Sequence, residues 1–155
     1  MARGDERFAA AAAALGVRVD VRRFPDGTRT AEDAARAVGC TVAQIVKSLV
    51  FVVDGAPAMA LASGVDRVDP ARLAAALGAA GARPATAREA REATGYAIGG
   101  VPPFGHDAPL PVVVDRGLLA HEVVWAAAGA PDACFAIAPD ALLAASRGRV
   151  DGIAG

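Results

Sequence analysis

The stretch Ile45-Val46-Lys47-Ser48-Leu49-Val50-Phe51-Val52-Val53 decides how the rest of this chain is read. Apolar but for Lys47 and Ser48, it reads as a strand. On a strand Lys47 shares a face with Leu49, Phe51 and Val53, while Ser48, Val50 and Val52 point the other way. Both faces are then largely apolar. An unpaired ammonium is costly to bury, so Lys47 either snorkels to water, meets a carboxylate, or faces a cavity that receives acceptors or an anion. It is also the one lysine among sixteen Lys and Arg residues. Placing the single ammonium of an arginine-rich chain here suggests a need for a compact point charge rather than a planar fork. The plain alternative is a charged residue capping a strand end at the surface. Lys47 is the first candidate for a site.

Working outward, Asp54-Gly55 joins this strand to Ala58–Ala62 as a hairpin. After Ser63-Gly64, Asp69 caps a helix with Pro70 at its first position and Gly78 at its end. Thr86 caps another, with Glu89 completing a capping box. Upstream, Asp5 to Leu15 reads as a helix stopped by Gly16. Val17, Val19 and Val21 then alternate with Arg18, Asp20 and Arg22, as in a strand with one wet face. Pro25-Asp26-Gly27 is a turn, Thr30 caps a helix running through Ala37 to Gly39, and Thr41 to Ile45 is a short helical turn. Downstream, strands are expected at Leu110–Val114, Val123–Ala126 and Ala133–Ile137, a helix after Pro139-Asp140, and a fraying tail from Gly148 to Gly155. Hairpins mixed with crossovers predict an α+β domain with a mixed sheet, a single domain over residues 1–155.

Composition limits the function classes. A net charge of −1 and a pI near 6.1 exclude a domain that grips long nucleic acid through many phosphates, so any such contact should be local. The groups Arg18, Arg22, Arg23, Arg29, Arg36 and Arg83, Arg88, Arg91 read as solvated faces. Cys40 and Cys134 show neither a zinc spacing nor a disulfide framework, which fits a reducing cytoplasm. The start Met1-Ala2-Arg3-Gly4-Asp5-Glu6 and the alanine run after it read as neither a signal peptide nor a membrane span.

The most unusual segment runs from Thr94 to Asp107, Thr-Gly-Tyr-Ala-Ile-Gly-Gly-Val-Pro-Pro-Phe-Gly-His-Asp. Its glycines let main-chain amides approach a ligand, and the paired prolines stiffen the residues after them. Such a loop can bind a carbonyl or carboxylate as an oxyanion hole does, or it can be a long surface turn. It matches neither a P-loop nor a dinucleotide fingerprint. His106 could polarise a substrate or simply be solvated, and His121 beside Glu122 looks peripheral. Paired His, HxE and CxxC spacings are missing, so no metal and no cofactor are expected. Ser48 and Ser63 lack a GxSxG setting, and Cys134 lies in an apolar stretch where a thiol usually acts as a small hydrophobe. Any chemistry must then rest on positioning and backbone electrostatics.

Taken in order and spacing, Val46-Lys47-Ser48-Leu49-Val50-Phe51, the loop Thr94 to Gly105, and Trp125-Ala126-Ala127-Ala128-Gly129 resemble the YbaK/ProX family of aminoacyl-tRNA deacylases, over about residues 8–153. The resemblance implies a YbaK-like fold, with a partly barrel-like mixed sheet surrounded by helices. It also implies a trans-editing hydrolase that removes a wrong amino acid from the terminal adenosine of a tRNA, backing up a synthetase that cannot reject close analogues by binding alone. The family lysine falls on Lys47 and the substrate-binding glycine on Gly99, with Gly100, Val101, Pro102, Pro103 and Phe104 completing the loop whose amides hold the carbonyl. Gly105 and His106 come next in the chain. The implied attacking group is organised partly by the substrate, without a dedicated protein base. Ala127 stands where some relatives carry serine. The pocket is therefore expected to be more apolar, and a small group on proline tRNA or a related tRNA is the expected substrate. Phe24, Tyr96 and Phe104 are candidate stacking partners for a single-stranded end, or core residues. The expected partners are the tRNA acceptor end and, as a further candidate, an aminoacyl-tRNA synthetase, with no membrane and the oligomeric state open. The competing readings are a non-catalytic binding module of the same fold and, third, a thiol enzyme using Cys134.

Overall fold

The structure, a computed structural model, describes residues 3–28 and 30–155. Met1, Ala2 and Arg29 lie outside the described residues, so the readings of the extreme N-terminus and of Arg29 are carried no further. Helix α1 (Gly4–Ala14) is followed by β1 (Arg22–Arg23), α2 (Ala31–Val38), a 3-10 turn at Val42–Gln44, and the hairpin β2 (Val46–Val53) and β3 (Ala56–Ser63). Then come α3 (Pro70–Ala76), β4 (Ala82–Pro84), α4 (Ala87–Thr94), β5 (Val112–Asp115), a 3-10 turn at Arg116–Ala120, β6 (Val124–Ala127), β7 (Ala133–Ile137), α5 (Pro139–Ser146) and β8 (Arg149–Asp151). No helix among the described residues is long and apolar enough to cross a membrane.

The lysine-bearing run is near the centre of the larger sheet, whose strand order is β4-β2-β3-β5-β8. Its hairpin register pairs Lys47 with Ala62 and Val53 with Ala56. The turn is closed by Asp54 at φ 48° and Gly55 at φ 84°. Two successive left-handed residues give the twist that a two-residue hairpin needs. The β3–β5 and β5–β8 pairs are parallel, because each second strand arrives by a crossover. The smaller sheet runs β1-β7-β6, all antiparallel. The alternation read from the sequence holds on both faces of β2. Val46 and Val50 join the main core with Phe8, Phe104, Phe135, Met59 and Leu61, while Phe51 and Val53 join a second cluster with Leu73, Val113 and Ile153.

The sheets do not close into a barrel. They meet at one isolated parallel bridge, Ile45 with Trp125, and the barrel-like character expected goes no further. The cause is strand length: β4 covers β2 only from Phe51 to Val53, and Pro84 ends its ladder. The Val50 carbonyl still receives Ala85 N–H at 3.0 Å, so the outward-facing positions of β2 are Val52, Val50 and Ser48 by alternation. On that edge no strand stands opposite Ser48 among the described residues.

Two readings need correction, and one element escaped the sequence. Val17 to Val21 form no strand, although their valines are half-buried against the main core, because only Arg22 and Arg23 find a ladder partner, in β7. Alternation reports which face is buried, not whether a neighbour is present. Ala82–Pro84, not anticipated, is a short edge strand. The expected C-terminal fraying does not occur: Arg149–Asp151 pairs with β5 and Ile153 is fully buried. The Asp115 carboxylate receives the amides of Ile153 and Ala154 at 2.9 and 3.2 Å, and that of Gly117 at 3.0 Å. A buried carboxylate that accepts three amides anchors the segment.

Candidate active site

The gap in the ladder is a cleft of about 730 Å³, within the size range of small-molecule sites. One wall is the open part of β2, from Val46 to Val50. Trp125, Ala126 and Ala127 of β6 face it, Thr28, Thr30 and Ala31 come from the segment that leads into and starts α2, and Ile98, Gly99 and Val101 from the glycine loop. The Lys47 ammonium donates to the carbonyl of Asp66, in the segment after β3. Of the three fates open to a lysine on this strand, the protein combines two. The half-buried ammonium meets a carbonyl rather than a carboxylate, keeps its charge unneutralised, and lines the cleft.

The loop is shaped by two glycines for different reasons. Gly99 has φ 93°, in the left-handed region, and a Cβ there would make only ordinary contact with Pro131 at 3.9 Å. Gly100 lies against the Ala130 backbone, where a Cβ would come within 2.7 Å. Its amide is turned back onto the Ala97 carbonyl at 3.0 Å. The amides of Gly99 and Val101 donate to no protein acceptor among the described residues. Both residues line the cleft.

Lys47, Gly99, Val101 and Ala127 are brought together here. The other predicted positions stand behind the wall. Phe104 is 3% exposed and packs between Phe8 and Phe135, with ring centroids 5.3 and 5.8 Å away. Tyr96 is buried, carries the Arg7 guanidinium over its ring at 4.7 Å, and donates its hydroxyl to the Gly105 carbonyl. Pro102 and Pro103 are buried, and His106 Nε2 donates to the Pro102 carbonyl at 2.7 Å. Burial pushes the His106 imidazole below its usual range, against the opposing pull of that bond. Gly105 turns at φ 78° over Ala11 and Phe8. Phe24 packs with Ala34, Ala35, Ile45 and Cys134. None of these residues is among those that line the cleft.

Several further residues line the cleft beside those expected from the editing-family resemblance. Cys134 lines the cleft and donates to Thr28 Oγ1 at 3.4 Å. Burial pushes its thiol above the usual range, which keeps it protonated. Thr28 in turn donates to the Pro131 carbonyl. Ser48 Oγ is buried at the β2 wall with no hydrogen-bond partner among the described residues. Arg67 and Trp125 complete the boundary. Arg67 lies in a connecting loop with no local signature, so nothing in the sequence distinguished it from other surface arginines.

The aminoacyl-tRNA editing domain family matches residues 25–145. A solved structure provisionally described as a trans-editing enzyme for prolyl tRNA synthetase is 42% identical, with a TM-score of 0.93 over 100% of this chain and 99% of its own. The uncharacterized protein YwhH of Bacillus subtilis (strain 168) is 32% identical over 124 residues, covering 79% of this chain and 78% of that protein. The proline--tRNA ligase of Ligilactobacillus salivarius (strain UCC118) is 33% identical over 87 residues, 56% of this chain but 15% of the ligase, so the chain corresponds to a small part of that enzyme. With the family match spanning most of its length, the chain belongs to the aminoacyl-tRNA editing domain family and has the YbaK-like fold that its lysine strand and glycine loop suggest.

Proposed function

We propose that this protein is a hydrolase acting in trans, in the cytoplasm, on the ester that joins a wrongly attached small amino acid to the terminal adenosine of a tRNA, proline tRNA or a related one. The observation that carries this reading is that Lys47 and Gly99, distant in sequence, line one cleft. In the reaction a water attacks the ester carbonyl, and the carbonyl oxygen gains charge in the tetrahedral intermediate. The amides of Gly99 and Val101 and the Lys47 ammonium stabilise that oxygen, as preorganised donors do in a water-poor site. The ribose oxygen leaves and takes a proton, and the free amino acid departs as its carboxylate. The attacking water is organised by a neighbouring ribose hydroxyl of the substrate, since no histidine or carboxylate lines the cleft among the described residues. Gly100, Pro102, Pro103, Phe104 and Tyr96 serve by fixing the loop, and Ala127 by keeping the wall small.

The test is a panel of proline tRNAs charged with alanine, serine, cysteine and other small amino acids. Release of at least one amino acid well above its spontaneous rate is expected. If every member of the panel decays at the spontaneous rate, the protein is instead a binding module of the same fold.

A further inference from the structure

Lys47 and Arg67 are the only charged side chains lining the cleft among the described residues, in a chain with seventeen acidic residues and a net charge of −1. A cleft of one sign with apolar walls concentrates field and draws in an anion. Arg67 is exposed and forms no salt bridge among the described residues, whereas Arg3, Arg7, Arg23, Arg36, Arg72, Arg83 and Arg88 each pair with a carboxylate. Its main chain is held from several directions. Gly155 N–H donates to the Arg67 carbonyl at 2.9 Å, Asp69 N–H donates to the Ile153 carbonyl at 2.8 Å, and Val68 bridges Ala154. The preceding carbonyl, of Asp66, receives the Lys47 ammonium. The carboxylate of Asp66 sits toward Gly117 and pairs with neither cation. One tethered segment thus sets a free guanidinium fork beside an ammonium at the same cleft.

Building on the editing reading, we propose that Arg67 is a substrate-binding residue that grips a backbone phosphate of the tRNA 3′ single strand, next to the terminal nucleoside. A phosphodiester suits the planar fork, which can donate two parallel hydrogen bonds, better than it suits the single ammonium of Lys47. The nucleoside and its ester then occupy the part of the cleft between Lys47 and Gly99. Arg67 acts on the phosphate and leaves the ester to the other two.

The experiment compares two substrates and one ligand pair. Arg67→Ala should raise KM for an aminoacyl-tRNA about tenfold or more with kcat kept. It should also flatten the slope of log kcat/KM against log salt by about 0.7, as expected for one single-strand phosphate. Hydrolysis of the matching aminoacyl-adenosine ester, which has no phosphate, should not change. In parallel, binding of an uncharged acceptor-end oligoribonucleotide should weaken in Arg67→Ala while binding of adenosine does not. Equal losses on both substrates, or an unchanged salt slope together with unchanged oligonucleotide affinity, would overturn the proposal. If the parent protein hydrolyses neither substrate but its oligonucleotide affinity still depends on Arg67, the editing reading falls and the phosphate contact stands.

Discussion

The Lys47 ammonium donates to the main-chain carbonyl of Asp66, 19 residues later, and so ties the open half of β2 to the loop after β3. Lys47 also lines the cleft left where β4 ends and β6 has only one bridge to the larger sheet. An ammonium whose partner is neutral retains its full charge for a substrate oxygen.

Replacing Lys47 should therefore separate activity from stability. Lys47→Ala is expected to lower kcat/KM by about 100-fold or more, the usual size of losing one preorganised donor. Stability should fall by only about 1–2 kcal/mol for the lost bond to Asp66. Lys47→Arg should not restore activity, because a planar fork cannot occupy the place of a compact ammonium. Deacylation kinetics beside thermal melts give both readouts. Parent-level hydrolysis in Lys47→Ala would remove the lysine from the mechanism.

The two loop glycines should respond differently to a methyl group. At Gly99 the obstacle is backbone conformation, φ 93° with only Pro131 near the new Cβ, so Gly99→Ala should cost about 1–2 kcal/mol and redirect the free amide. At Gly100 the Cβ would meet the Ala130 backbone at 2.7 Å, which only a shift of main chain can relieve. Gly100→Ala should destabilise more, and Gly99→Ala should lose more activity per degree of Tm. The reverse order would place the functional amide elsewhere.

Ser48 and Ser63, one on each strand of the hairpin, differ in their hydrogen bonding. Ser48 Oγ is buried without a partner among the described residues, so Ser48→Ala should leave stability unchanged or raise it by about 1 kcal/mol. Ser63 Oγ donates to the Ala43 carbonyl at 2.8 Å, and Ser63→Ala should cost about 1 kcal/mol. Urea denaturation of both variants decides the matter, and a clear loss in Ser48→Ala would mean that its hydroxyl has a partner in solution.

Acid should weaken the cap of α4. The Glu89 carboxylate is held down from 4.5 to about 2, first by the Arg83 guanidinium that donates to both its oxygens and then by the Thr86 amide. A folded-state pKa below the unfolded one gives stability that is present above pH 4.5 and lost as pH falls toward 2. Arg83 is exposed and Glu89 is partly open to water, so the effect should be small and salt-sensitive. Arg83→Ala should move the Glu89 titration, followed by NMR, back toward the ordinary carboxylate range. An unmoved titration would assign the depression to the helix cap alone.

Much of the local structure was legible because short-range chemistry dictates it. Thr30 and Thr86 accept from Asp33 and Glu89 amides as their spacing demands, Asp69 caps α3 with Pro70 inside its first turn, and Asp54-Gly55 turns the hairpin. The C-terminal strand was not legible. Gly148 to Gly155 is polar and glycine-bearing, and its order depends on Asp115, more than thirty residues upstream. The same limit applies to the aromatic residues of the loop. Phe104 reads as core by default and as a stacking platform by its place in the loop, and only its fit between Phe8 and Phe135 shows which side it faces.

By itself, the order of residues determined the capped helices, the hairpin with its two-faced lysine strand, the glycine loop and the family resemblance, since each depends on neighbours within a few positions or on a pattern of types. Tertiary structure alone decided that the two sheets stay unclosed, that the opening between them brings Lys47, Gly99, Val101 and Arg67 to one cleft, and that no carboxylate shares it among the described residues. Those outcomes depend on where strand ladders end and on contacts between residues far apart in sequence. No local propensity encodes either.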